Sequence, residues 1–372
     1  MSGRAVVVGG GLHGLSTALH LARAGWHVTV LERRHVGRHS SGMNAGGVRR
    51  LGRDPAEIGL SVIAAEMWAG IERLVGDDCG FRASGQVKVA ENEADMAKLQ
   101  ARVDLVRGLG WQHEELVDAT EVRRLLPAVA PHVCGGLVVR GDGAADPMRT
   151  VMAFRAAAVG AGVDLREGVA VNGIARGGGA LVVSTDHGEL TADRVANCAG
   201  AWAAAFARML GDDIPCHAAP LMMIVTERLQ RFIEPTVGAT SRPLSFKQTD
   251  AGTVLIGGGM LGRVDLAAEW AVVDFHNLAR SARIASDLFP LMRGVRMVRS
   301  WCGIEATTPD ELPVLGESPA CPGVFHSFGY SGHGFQLSPA AGAAVAELMA
   351  RGETNLPVAA LAPTRFAQRQ AA

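Results

Sequence analysis

Gly9, Gly11 and Gly14 stand in the spacing G-x-G-x-x-G, with Leu12 and His13 between the last two. Residues without side chains let a backbone approach a diphosphate, and the positive end of a following helix favours its charge. Glu32, eighteen residues after Gly14, can accept hydrogen bonds from an adenosine ribose, and Arg33 follows it directly. Arg49 and Arg50 close a glycine-rich loop, and the planar guanidinium fork matches a carboxylate. Their plain alternative is a pair of solvated surface arginines. A further set is Gly303 and Glu305 in Trp301-Cys-Gly-Ile-Glu305, followed by Gly329-Tyr330-Ser331-Gly332-His333-Gly334-Phe335-Gln336, which holds the sole tyrosine. The glycine motif suits NAD as well as FAD, so the choice of dinucleotide has to come from other residues.

The elements around these residues are legible. Arg4 to Gly9 is a β-branched run, a helical stretch ends before Gly25, and a second strand runs from His27 to Glu32. That βαβ opening is what gives the glycines meaning. A loop covers Gly37 to Gly52, and Pro55 opens a helix. Gln86 to Ala90 alternates as a half-buried strand, and Glu91 to Leu109 is helical. Asp118 and Asp146 each start a helix, the second running to about Ala161. Strands are expected at Val169 to Ile174, Leu181 to Thr185 and Arg194 to Asn197, the last leading into Ala199-Gly200-Ala201-Trp202. Residues 215–300 read as strands around one helix, Leu266 to Leu288. The chain closes with strand Val324 to Phe328, a glycine turn, and a helix from about Gln336 to Met349. The tail beyond Pro363 is expected to lack order.

Composition narrows the function classes. A chain of 372 residues that is 48% hydrophobic and 20% charged has ample material for packed cores. Its net charge of −1 gives no basic field for nucleic acid or an anionic membrane. No segment has the length of a membrane span or the form of a signal peptide. Cys79, Cys134, Cys198, Cys216, Cys302 and Cys321 form no C-x-x-C pair or zinc spacing, so a cytoplasmic protein with reduced thiols and no metal is expected.

The opening Val7-Val-Gly-Gly-Gly-Leu-His-Gly-Leu-Ser16, with Val28-Thr-Val-Leu-Glu-Arg33, resembles that of the D-amino-acid oxidase, glycine oxidase and sarcosine oxidase family. Thr308-Pro-Asp-Glu-Leu-Pro-Val-Leu-Gly316 and Gly329 to Phe335 are similar to the family's C-terminal flavin segment. Asn44-Ala45-Gly46-Gly-Val-Arg-Arg50 and Trp301 to Glu305 resemble the sarcosine oxidase β, D-hydroxyproline dehydrogenase and opine oxidase flavin subunits. The resemblance implies an α/β and α+β protein. A discontinuous Rossmann-like domain, residues 1–80, 144–214 and 310–366, would bind FAD, and residues 81–143 and 215–309 would form a mainly antiparallel or mixed-sheet substrate domain.

It implies oxidation of the C–N bond of a small, often secondary, amino acid, with hydride passing to flavin N5 and electrons on to oxygen or another acceptor. Partner subunits for electron transfer are a further implication. By the same resemblance Ser40 and Ser41 lie beside the diphosphate or flavin, Val169, Ala199, Gly200 and Trp202 hold the adenine side and ribityl chain, and Gly329 to Gly334 line the ring. An NAD-dependent dehydrogenase and a non-catalytic flavin subunit are the rivals.

Three departures from the family stand out. Glu305 occupies a position where many relatives carry a carboxylate-binding arginine, so the anchor shifts to Arg49 or Arg50. Gln336 replaces a lysine beside the flavin. Leu255 falls where a relative's oxygen-activating lysine would be, which predicts slow reaction with oxygen. Cys302 is one residue out of register for covalent attachment, so FAD is expected to be noncovalent. Tyr330, Glu305 and His333 complete the catalytic candidates.

Overall fold

The computed structural model describes residues 3–367. Strand Arg4–Val8 is almost wholly apolar, and it lies inside a six-stranded sheet with the order Val314–Glu317, Val324–Phe328, Arg194–Asn197, Arg4–Val8, His27–Glu32, Asp164–Glu167. All neighbours run parallel except the outermost pair, Val314–Glu317 with Val324–Phe328. The chain therefore enters this sheet in three separate passes. Helices Leu12–Arg23, Pro147–Gly160 and Gly334–Arg351 share one core with it. On the other face lies a three-stranded antiparallel meander, Val171–Gly177, Ala180–Thr185 and Gly188–Ala192. An open α/β sheet places its ligand outside the carboxyl ends of its strands, and those ends carry the glycine turns.

A second sheet has eight strands in the order Met297–Thr307, His217–Arg228, Thr253–Gly257, Ser245–Gln248, Thr236–Ala239, Gln86–Ala90, Gly135–Val139, Glu115–Asp118. One pairing is parallel, Thr236–Ala239 with Gln86–Ala90, and the others are antiparallel. The mixed α/β architecture is as the resemblance implied.

Local chemistry fixes most helix starts. Asp54 accepts from the Ala56 N–H at 2.9 Å and Pro55 sits in the first turn of Pro55–Ala69. Asp146 accepts from Arg149 at 2.9 Å and Asp118 from Glu121 at 2.8 Å. The capping box at Asp118 is only half made, because the Glu121 carboxylate turns to Arg124 and Arg140 instead.

The expected helix from Leu266 is shorter. It is Phe275–Leu288, capped by Asp274, which accepts from Asn277 at 3.0 Å. The preceding residues form a hairpin, Arg263–Asp265 with Trp270–Val272, whose turn places Glu269 at φ 57° and ties it to Arg33 and Arg34 at 3.2 and 3.0 Å. The final helix begins at Gly334, two residues before the expected start. The tail also departs from expectation: Thr364–Ala367 is helical, Phe366 is buried, and Arg365 pairs with Asp310 at 3.1 Å. The remainder of that tail lies outside the described residues.

Candidate active site

A cavity of about 800 Å3 opens where the two large sheets meet. That is toward the upper end of the roughly 300–1,000 Å3 typical of small-molecule sites. Its first wall is backbone. Gly9 has φ 107°, and a Cβ there would collide with the Cys198 carbonyl. A Cβ on Gly14 would strike the Gly9 carbonyl. Helix Leu12–Arg23 has no side-chain cap from Gly11, and its first N–H, that of Leu12, donates to Ser41 Oγ at 2.9 Å. The dipole of this helix and its free N–H groups thus point at the cavity.

The Glu32 carboxylate lines the cavity while accepting from the N–H groups of Gly10 and Arg34, both at 2.8 Å. It is held in place and keeps lone pairs for a ribose. Beyond it, Arg33 lies 4.5 Å above the Trp202 ring, whose N–H donates to Leu266 at 3.2 Å. Val169, Ala199 and Gly200 continue this wall; a Cβ on Gly200 would meet open space, but its φ of 56° favours glycine.

Ser40, Asn44 and Ala45 line the floor. The Asn44 amide donates to Ser40 and Ser41 carbonyls at 2.9 and 2.8 Å and accepts from Gly46 at 2.7 Å, so it shapes the loop. Gly46 lies behind the lining with φ 70°, pressed against the Ala145 carbonyl. Gly303 faces this floor, where a Cβ would come 2.9 Å from that of Met43.

The C-terminal turn forms the third side. Gly329, Tyr330, Ser331, Gly332, Gly334 and Phe335 all line the cavity. Tyr330 is buried, stacks on His13 at 3.5 Å between ring centroids, and shares a 2.8 Å hydrogen bond with Ser327. Burial pushes its phenol well above the usual range and lowers His13 to about 3, so both are neutral at pH 7. Glu305 accepts from Gly332 N–H at 2.9 Å, and burial lifts its carboxyl to about 7. Among the described residues no basic side chain pairs with it.

Arg49 and Arg50 part company. Arg50 pairs with Asp142 at 3.1 Å and lies outside the lining. Arg49 lines the cavity and has one hydrogen bond, to the Leu51 carbonyl at 2.8 Å. Two other candidates also sit behind the wall. His333 Nδ1 hydrogen-bonds Glu57 Oε1 at 3.4 Å and lies 3.1 Å from Oε2, and burial with the nearby Arg53 lowers it to about 4. Gln336 is fully buried, donating to the Ser61 carbonyl at 2.8 Å and accepting from Arg53 at 3.2 Å, so it braces the turn from within. The Cys302 sulfur packs against Gly262 and its thiol is raised by burial to about 11.

Sequence reasoning missed Arg53 and Glu57, a buried pair 3.8 Å apart, and two lysines. Lys88 lines the cavity. Lys247 pairs in register with Leu255, donates to the Ala145 carbonyl at 3.2 Å, and is lowered by burial to about 8. A buried lysine thus stands one strand from Leu255 but outside the cavity lining, and slow reaction with oxygen stays an expectation. The alternating strand pattern around Lys88 and Lys247 put each on the half-buried face and was the available signal.

A parallel sheet with a glycine-cradled helix start and a fixed terminal acid defines a dinucleotide-binding oxidoreductase, and the glycines and open N–H groups fit an FAD diphosphate. The chain belongs to the DAO family, whose model, FAD dependent oxidoreductase, matches residues 4–348. FAD is its cofactor, and the NAD alternative falls. The chain is 27% identical to the sarcosine oxidase subunit beta of Rhizobium meliloti over 97% of this chain and 88% of that one. It is 28% identical to the glycine oxidase of Geobacillus kaustophilus, with 96% of each covered. The solved L-proline dehydrogenase of P. horikoshii superposes with a TM-score of 0.90 at 26% identity, covering 99% of this chain and 98% of that one. The chain is an enzyme among relatives named for amino-acid oxidation and dehydrogenation. Among the described residues no helix is long and apolar enough to cross a membrane.

Proposed function

We propose that this enzyme oxidises the C–N bond of a small secondary amino acid such as sarcosine, proline, hydroxyproline or an opine, or of a D-amino acid. One observation carries the reading: Arg49 faces the same cavity as the Gly329–Gly334 turn, and among the described residues no carboxylate pairs with it. Arg49 anchors the substrate carboxylate, and a site sealed by the second sheet lowers the dielectric around that pair. Bound FAD supplies the hydride acceptor, N5. Tyr330 and His13, both neutral, wall the reacting carbon from water, and the N–H groups of the turn favour negative charge beside them. Residues 1–80, 144–214 and 310–366 hold the cofactor in this proposal, while 81–143 and 215–309 close over the substrate.

Relatives named as a sarcosine oxidase subunit and a hydrogen cyanide synthase subunit support a partner that relays electrons to oxygen or another acceptor. The enzyme would work in the cytoplasm, where its six thiols stay reduced. The test is an anaerobic screen of sarcosine, proline, the hydroxyproline isomers, opines and D-amino acids, following loss of the visible flavin band. Bleaching by a carboxylate-bearing amine supports the proposal, and no bleaching by any of them overturns it.

A further inference from the structure

Strand Gln86–Ala90 crosses the second sheet beside Thr236–Ala239, with Gln86 opposite Thr236 and Lys88 opposite Gly238. Residues two apart on a strand share a face, and here that face is the cavity, which both Gln86 and Lys88 line. Gly238 puts no side chain beside Lys88 on that face.

Neither polar group is engaged. Gln86 is 8% exposed, its amide oxygen has no hydrogen-bond partner, and its amide nitrogen makes no bond to a described residue. A buried amide oxygen left idle is rare in a finished fold, because the lost hydration is not replaced. The Lys88 ammonium forms no ion pair among the described residues. The charges that act most strongly on it are those of Arg49, Glu114 and Arg102, and the last two neutralise each other through bonds of 2.8 and 3.0 Å. Lys88 and Arg49 are therefore two like charges in one partly buried space. Such an arrangement is unfavourable when empty and favourable when two anionic groups arrive.

Glu114, Glu57 and Asp142 offer no relief. Glu114 belongs to Arg102, Glu57 to Arg53 and His333, and Asp142 to Arg50. The missing counter-charge must come with the ligand.

From this juxtaposition we infer that Lys88 and Gln86 form a second carboxylate subsite, so that the preferred substrate is a secondary amino acid carrying two carboxylates, one on each side of the nitrogen. Arg49 takes the carboxylate next to the reacting carbon, and Lys88 with the Gln86 amide takes the one on the other substituent. This rests on the functional reading above, because it assigns the remainder of the same substrate.

The experiment uses the FAD-loaded protein. Calorimetric titration with glutarate and with its monoamide, glutaramate, compares two ligands that differ in one charge. Glutarate binds at least about tenfold more tightly in the native enzyme. Lys88→Met brings that ratio within about twofold, Lys88→Arg keeps most of it, and Gln86→Leu lowers it about threefold. Equal binding in the native protein, or a ratio untouched by Lys88→Met, overturns the subsite. So does an equal loss for both ligands, which would make Lys88 part of a single anchor. Flavin content of each variant reports folding, and Gln86→Leu serves if Lys88→Met does not fold.

The kinetic arm compares iminodiacetate with sarcosine, and the ratio of their kcat/KM values falls in Lys88→Met. If no amine is oxidised while the glutarate ratio holds and then collapses in Lys88→Met, the subsite stands and the amino-acid reading fails. If sarcosine is oxidised with no dicarboxylate preference, the reverse is true.

Discussion

The two walls of the cavity recognise by different means. The wall from the six-stranded sheet uses main chain: Gly9, Gly11 and the N–H groups of a helix start, with Glu32 tied down by two backbone donors. The wall from the eight-stranded sheet uses side chains, Gln86 and Lys88 at one margin and Glu305 at the other, with four strands between them in the sheet order. A backbone site tolerates no added atoms, so one chemistry is built in. A side-chain site changes its ligand with a single substitution, and we propose the second wall as the seat of substrate choice.

The sharpest break in that comparison is at Gly14. Its Cβ would collide with the Gly9 carbonyl, a main-chain atom that cannot step aside. Gly14→Ala should cost more than about 3 kcal/mol and yield protein almost free of FAD, read as the ratio of visible to ultraviolet absorbance and by thermal melting. Normal flavin content would show that the turn is softer than its packing implies.

Away from the glycine turn but facing the same cavity, Arg49→Met should leave FAD in place and weaken carboxylate substrates by about one to two decades in apparent affinity, the equivalent of a charge-assisted bond of roughly 1.5–3 kcal/mol. Arg50→Met should do less to affinity and more to stability, because it strands the Asp142 carboxylate, which is 1% exposed. Equal effects of the two on KM would end the assignment to Arg49. Glu32→Ala comes next: FAD affinity falls about tenfold, with the visible spectrum unchanged because the change lies at the ribose end. A shifted spectrum would mean that the Gly10 and Arg34 bonds to Glu32 transmit strain to the ring.

The same contrast explains what the sequence makes legible. The βαβ opening can be read because glycine spacing, β-branched runs and a terminal acid lie within 29 residues, Arg4 to Glu32. Caps at Asp54, Asp146 and Asp118 are equally local. Lys88 is separated from Arg49 by 39 positions and from Glu305 by more than two hundred, and only strand pairing brings them to one cavity. Lys247 is hard to read as a partner of Leu255 because their relation is a cross-strand register, invisible in a linear pattern. The helix expected from Leu266 overlaps the second strand of the hairpin, Trp270–Val272, for a related reason: Glu269, at positive φ, is tied to arginines more than two hundred residues away. Arg49 and Arg50, adjacent in sequence, part because Asp142 binds the side chain of Arg50 while Arg49 turns to the cavity.

The smallest expected effect tests whether Glu305 belongs to the reaction or merely to the turn. Its carboxyl is raised by burial to about 7, so it is neutral below that pH and anionic above it. Removing hydride from a carbon beside nitrogen leaves positive charge on the C–N unit, and a carboxylate facing the same cavity stabilises that charge as it develops. The sign follows: kcat/KM should rise as pH passes through about 7, by a few-fold, and Glu305→Gln should remove that rise. The ionisation of the substrate amine lies higher and persists in the variant, so the two inflections separate. Glutamine still offers an acceptor to Gly332, and the turn keeps its 2.9 Å bond. If the profile of Glu305→Gln retains the lower inflection, Glu305 only holds Gly332 in place, and the second wall contributes Lys88 and Gln86 alone to the choice of substrate.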